Sequence, residues 1–236
     1  MLLKTISLVL TSVIFLNSCG NSRWSEAKVA ALPSVNVGLP TKSKGAYHKP
    51  LKLSNRSQSA ANNAAFSTGN AGGFIGAAVG TAIISGIIIA DQKRFESNSA
   101  AQISRIESLI DHRLEDSYAI QLIKSLKQQP FFQQRFNNQS PYRIQTEIKS
   151  YGLTREGEDE PMRFHATVNC QTNLKGVADM ALLKNVMVSG SSTTVGTLDQ
   201  FAADKARLNM AFREASCAAA SDLSQQLQEQ TAASKP

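Results

Sequence analysis

Residues 71–90 read AGGFIGAAVGTAIISGIIIA, twenty residues with no charge and five glycines. Gly72, Gly76 and Gly80 recur at spacing four. Gly69, Gly73, Ala77, Thr81 and Ser85 form a second such row, and Ala78, Ala82, Gly86 and Ala90 a third. On a helix these rows become adjacent strips with almost no side chain, which lets two backbones approach closely. In a water-exposed helix each glycine costs about 1 kcal/mol relative to alanine, so a soluble surface helix explains the stretch poorly. Its length matches a bilayer's hydrocarbon core, and Asp91, Lys93 and Arg94 follow at once, as at a membrane boundary. We therefore expect residues 67–95 to form a hydrophobic glycine-zipper helix that self-associates through Gly72, Gly76 and Gly80. Two settings stand open for it: embedded in a membrane, or packed within a soluble assembly.

The amino terminus bears on the compartment. One early cation, Lys4, precedes the apolar run ISLVLTSVIFL, a charged and then hydrophobic pattern too short to span comfortably, as in a secretory signal. The run ends in Leu16-Asn17-Ser18-Cys19-Gly20, which resembles the lipobox of bacterial lipoproteins. That resemblance implies removal of residues 1–18, acylation of Cys19 and attachment to the cell envelope, because several acyl chains on one residue anchor stably. In that family Gly20 carries no inner-membrane retention signal, so the outer membrane, facing the periplasm, is the expected destination. The glycine-rich stretch is similar to segments of small outer-membrane lipoproteins of Gram-negative bacteria.

Charge is unevenly placed. Between Gly20 and Phe66 seven cations face one anion, Glu26, whereas Ser99–Pro236 holds fifteen of each sign. A nucleic-acid-binding domain would carry its basic face on the folded part, so nucleic acid is not an expected partner. A basic segment beside an acylated cysteine suits anionic lipid headgroups or simply solubilises a linker. Residues 19–66 are rich in Ser, Asn, Ala and Lys, contain Pro33, Pro40 and Pro50, and show no sustained apolar period. They read as a lipidated, basic, disordered tether, able to reach on the order of 150 Å when fully stretched.

Residues 96–230 read as one α+β domain with a small sheet of about three strands packed by helices, followed by a disordered tail over 231–236. Ser99 with Gln102 has the letters of a capping box ahead of the stripe Ile103, Ile106, Ile110 and Leu114. The apolar phase then shifts to Ala119, Leu122, Ile123 and Leu126, which predicts a break near Asp116 as the cap of a second helix that Pro130 ends. Alternation predicts strands at Tyr142–Lys149, Met162–Leu174 and Leu182–Ser189. An acidic loop (Glu156, Glu158, Asp159, Glu160) joins the first two. Thr197 with Gln200 opens a last helix, Leu198–Gln228, with the stripe Phe201, Leu208, Phe212, Ala215, Ala219 and Leu227. This element order, with stretches such as YRIQTEIKSY and ADKARLNMAFREA, resembles the auxiliary lipoproteins of ABC-type lipid transporters and the amino-terminal domain of TolB-like proteins. The resemblance implies an accessory binding role and no catalytic residue.

A search for chemistry agrees. The sequence lacks GxxxxGK, GxGxxG after a strand, GxSxG, HExxH and CxxC. His48, His112 and His165 are scattered, and His165 alternates with apolar neighbours. The acidic loop reads as a polar hairpin connection rather than a cation site. No cofactor, no metal and no enzymatic activity are expected. With Cys19 acylated, Cys170 and Cys217 could pair in an oxidising compartment, or remain two free thiols. Cys170 lies on the apolar phase of its strand, whereas Cys217 points away from the helix stripe. Two functions remain: an accessory binding or assembly subunit of an envelope complex, held by its lipid and the 71–90 helix, or a homo-oligomeric structural or pore-forming zipper.

Overall fold

A computed structural model describes residues 32–54, 90–111, 113–157, 159–176 and 185–233. The strands are β1 (Asn36–Val37), β2 (Thr41–Lys42), β3 (Tyr47–Ser54), β4 (Tyr142–Arg155), β5 (Phe164–Gly176) and β6 (Asn185–Gly196). The helices are α1 (Ala100–Leu109), α2 (Leu114–Lys127), α3 (Pro130–Gln133), α4 (Leu198–Ala203) and α5 (Lys205–Ala233), preceded by helical residues 90–98. The class is α+β, as expected.

The sheet has six strands rather than about three. The three additional ones come from the segment read as a structureless tether. β1, β2 and β3 each pair in parallel with β4, from Asn36 opposite Arg143 to Ser54 opposite Arg155, so they follow β4 from end to end. Proline explains why this path is broken into short pieces and confined to an edge: it has no N–H to give a central ladder. Pro33, Pro40 and Pro50 punctuate the path, and the Pro50 carbonyl faces outward, away from β4, to accept from Gln92 Nε2 at 3.0 Å. The basic residues of this segment are not all free for a membrane surface either. Lys42 Nζ lies 2.9 Å from Glu115 on α2, and Lys52 pairs with Asp91.

β4, β5 and β6 form an antiparallel meander. On β4, Ile144, Thr146 and Ile148 are buried on even positions, but Tyr151 and Leu153 on odd ones. An irregularity in register between Ile148 and Ser150 inserts the extra residue, and such a bulge returns the same face to the core. The β5 alternation runs unbroken through Phe164, Ala166, Val168, Cys170, Thr172 and Leu174, all buried. Thr146 and Thr172 sit directly opposite each other and share a hydrogen bond of 3.0 Å, satisfying both hydroxyls inside the core.

α5 covers this face. All six residues of the stripe expected for the last helix are buried, Phe201 on α4 and the other five on α5, and Phe212 meets Tyr151 edge-on with ring centroids 6.0 Å apart. Its many alanines have a structural reason. A β-carbon placed on Gly190 of β6 would lie 2.1 Å from the Ala215 carbonyl oxygen and 2.3 Å from the Ala219 nitrogen. Helix and strand backbones therefore touch where only glycine fits.

Three local expectations are corrected. Ser99 makes no side-chain cap, because helical residues 90–98 run into it and its N–H bonds to the Phe95 carbonyl at 3.0 Å. α2 begins at Leu114, so Asp116 lies in its first turn and pairs with Arg113 rather than capping. Thr197 and Gln200 do form a capping box, but the last helix breaks at Asp204. That residue is extended, and its Oδ1 accepts from Arg207 N–H at 3.0 Å, restarting the helix as α5. The third expected strand is present as β6 and runs past Ser189 to Gly196.

Candidate functional site, the clamp where β3 ends

The chain leaves the described structure at Ser54 and returns at residue 90, and the two ends meet. Lys52 Nζ lies 2.7 Å from Asp91 Oδ1. Gln92 Oε1 accepts from Lys52 N–H at 2.9 Å, while Gln92 Nε2 donates to the Pro50 carbonyl at 3.0 Å. One side-chain amide thus engages the two outward backbone groups of edge strand β3 as a further peptide unit would. An edge so covered is blocked against pairing there with another strand. Glu96 Oε1 accepts from the same Gln92 Nε2 at 2.9 Å, which fixes the amide's orientation. One turn on, Phe95 is buried and stacks on Phe164, centroids 5.9 Å apart. Helical residues 90–98 are thereby fastened both to the sheet edge and to its core. Asp91, expected at a membrane boundary, is a constituent of this clamp.

Near the same end of the sheet, Arg155 Nη2 donates to the Asp159 carbonyl at 3.2 Å and to Glu160 Oε1 at 3.3 Å, holding the acidic loop. Among the described residues no group of His, Cys, Asp and Glu is arranged to hold a metal ion. Burial lowers the pKa of His165, and Glu156 opposes that shift.

At the far edge of the sheet, Glu214 of α5 takes four donors from β6. Its Oε2 accepts from Thr193 N–H, Thr193 Oγ1 and Thr194 N–H at 2.8–3.0 Å, and its Oε1 from Thr194 Oγ1 at 3.0 Å. Burial raises the carboxyl's pKa, but these four donors together outweigh it and hold the group below its usual range.

Cys19, Gly72, Gly76 and Gly80 lie outside the described residues. Cys170 and Cys217 are not brought together; both are free thiols. Cys170 is fully buried on β5, and burial pushes its thiol up to about 12. Cys217 faces α2, with Sγ 4.0 Å from the Ser117 carbonyl, and burial raises its pKa too. The disulfide considered from the sequence is therefore absent. Among the described residues no helix is long and apolar enough to cross a membrane. The sequence held one trace of the clamp, the Asp91-Gln92 pair where the apolar stretch stops, but no periodicity links it to Pro50 and Lys52.

No family model matches the chain, and no curated protein sequence does. Among solved structures it is similar to a DUF330 protein of Xanthomonas campestris, at 16% identity and a TM-score of 0.34. That likeness covers 52% of this chain and 64% of the other, so the chain spans less than two thirds of that protein. It is also similar to a candidate lipoprotein of Caulobacter crescentus, at 15% identity and a TM-score of 0.36, covering 56% of this chain and 98% of the other.

Proposed function

We propose that the chain is a cell-envelope lipoprotein, acylated at Cys19, that serves as an accessory binding or assembly subunit and presents residues 55–89 to an envelope partner. The observation that carries this reading is the clamp. Because Lys52 Nζ lies 2.7 Å from Asp91 Oδ1, both ends of the 55–89 segment are held at one place on the folded domain, which favours a segment offered to a partner over a link between lipid and domain. A lone bilayer crossing by residues 71–90 would oblige residues 55–70 to cross back. Those carry Asn62 and Asn63 at their centre, with Asn55, Arg56 and Asn70 at their ends, and polar side chains without partners are costly in hydrocarbon. Contact with a protein, through the small-residue strips at Gly72, Gly76 and Gly80, avoids that cost.

Cross-linking in intact cells tests the reading. Wild-type protein should yield an adduct with a second protein, and Gly76→Leu should lose it while the lipid on Cys19 remains. Adducts only between copies of this chain would favour the homo-oligomeric zipper. Undiminished adducts in Gly76→Leu would remove the zipper from the interaction.

A further inference from the structure

Where β6 meets α4 and α5, an open cleft of 620 Å³ is lined by Arg163, Thr194, Val195, Asp204, Arg207 and Met210, among others. Arg207 is built in rather than loosely placed. Its Nη2 donates to the Val195 carbonyl, and its Nε is buried against Gly196, where an added β-carbon would lie 3.3 Å away. That fixes the guanidinium plane, and the residue, only half-buried, lines the cleft. Arg163 is exposed, with no hydrogen bond or ion pair from its side chain among the described residues.

The nearby carboxylates are engaged by other donors, although Asp204 also lines the cleft with its charge. Asp204 Oδ1 caps α5 through the Arg207 N–H, and Glu214 is taken up by its four donors on Thr193 and Thr194. No carboxylate forms an ion pair with either guanidinium among the described residues. α5 also begins here, so its amino-terminal dipole adds positive potential. Guanidinium groups present planar, always-charged forks that match oxyanions. The cleft is much larger than one oxyanion, and Met210, half exposed, supplies an apolar wall beside the arginines.

We propose that this cleft binds a phosphate ester, its phosphate held between Arg163 and Arg207 and its organic body lying toward Met210. A soluble phosphate ester and a phospholipid headgroup share that chemistry. The reading is independent of the clamp and of residues 55–89.

Calorimetric titration of the full chain in neutral detergent micelles tests it, first with inorganic phosphate and then with micelles doped with phosphatidic acid or phosphatidylcholine. Arg163→Gln and Arg207→Gln should each weaken binding at least tenfold, while Arg105→Gln on α1 should leave it unchanged. The Arg163 side chain makes no hydrogen bond or ion pair among the described residues, so its variant reports on the cleft even if Arg207→Gln is poorly folded. Phosphate binding that depends on Arg163 supports the proposal with a soluble source. Arg163-dependent binding of phosphatidic acid micelles alone supports it with a lipid source. Binding of neither, or equal binding by wild type and Arg163→Gln, or an equal loss in Arg105→Gln, overturns it.

Discussion

Gly190 and Ala215 touch backbone to backbone: a methyl group on the glycine would sit 2.1 Å from the alanine's carbonyl oxygen. No flexible side chain stands between them to move aside, so α5 must shift off β6 if anything is added. Gly190→Ala should therefore destabilise the fold by about 1–3 kcal/mol, the usual effect of overpacking. Gly157, at φ +69° in the acidic loop with open space around it, tests a different mechanism. Alanine there should act through backbone strain alone, by roughly 1 kcal/mol. Equal denaturant midpoints for wild type and Gly190→Ala would contradict the contact.

Phe212 is fully buried on α5 against Tyr151. Phe212→Ala removes a large apolar group and leaves a cavity, an effect of about 3–5 kcal/mol. For a domain of this size that lowers the melting temperature by on the order of 10 °C. A thermal melt by circular dichroism checks it, and a shift of only a degree or two would place the ring outside the core.

Glu214 supplies a pH dependence with a defined sign. Its carboxyl is held below the ordinary value of 4.5, by four donors acting against burial. Its contribution is present in full above that value and is lost as pH falls through the lower folded-state value. Wild type should lose more stability than Glu214→Gln on acidification from pH 6 to pH 3. At pH 7 the substitution should cost about 1 kcal/mol, because the group is partly solvated. Parallel stability curves for the two proteins across that range would show that the carboxylate's charge contributes nothing.

The two described cysteines should differ in reactivity. The Cys170 thiol, buried and pushed up to about 12, should resist alkylation at pH 8 until the protein unfolds. Cys217 is half-buried and should react slowly in the native state. Mass spectrometry after iodoacetamide treatment, with and without denaturant, resolves the two sites. Full native labelling of Cys170 would contradict its burial, and failure of both to label in denaturant without reductant would point to a disulfide.

The elements that were legible are those in which one residue spacing persists. Phe201, Leu208, Phe212, Ala215, Ala219 and Leu227 keep a helical period and are all buried, and β5 alternates from Phe164 to Leu174 without interruption. Where a local device breaks the period, the reading stopped short. The irregularity after Ile148 hid the second half of β4, and Asp204 split the last helix in two. Ser99 had the letters of a cap, but a preceding helix had already satisfied its position. β1 and β2 are two residues each and owe their existence to β4, more than 100 residues away. Nothing local in a proline-rich stretch announces such a partner. The clamp is hidden for the same reason, since Gln92 is recognisable only beside the strand it covers.

The path of β1–β3 along β4 also has a mechanical meaning. Asn36 lies beside the start of β4, and Ser54 leaves beside its end. Tension applied to the chain ahead of Leu32 would pull these strands lengthwise, with their hydrogen bonds to β4 lying across the force. Such bonds resist together in shear, whereas a hairpin pulled at its open end yields one rung at a time. The edge that looked like slack rope in the sequence is therefore placed to act as a fixed mooring, and the clamp at Lys52 and Asp91 closes its far end.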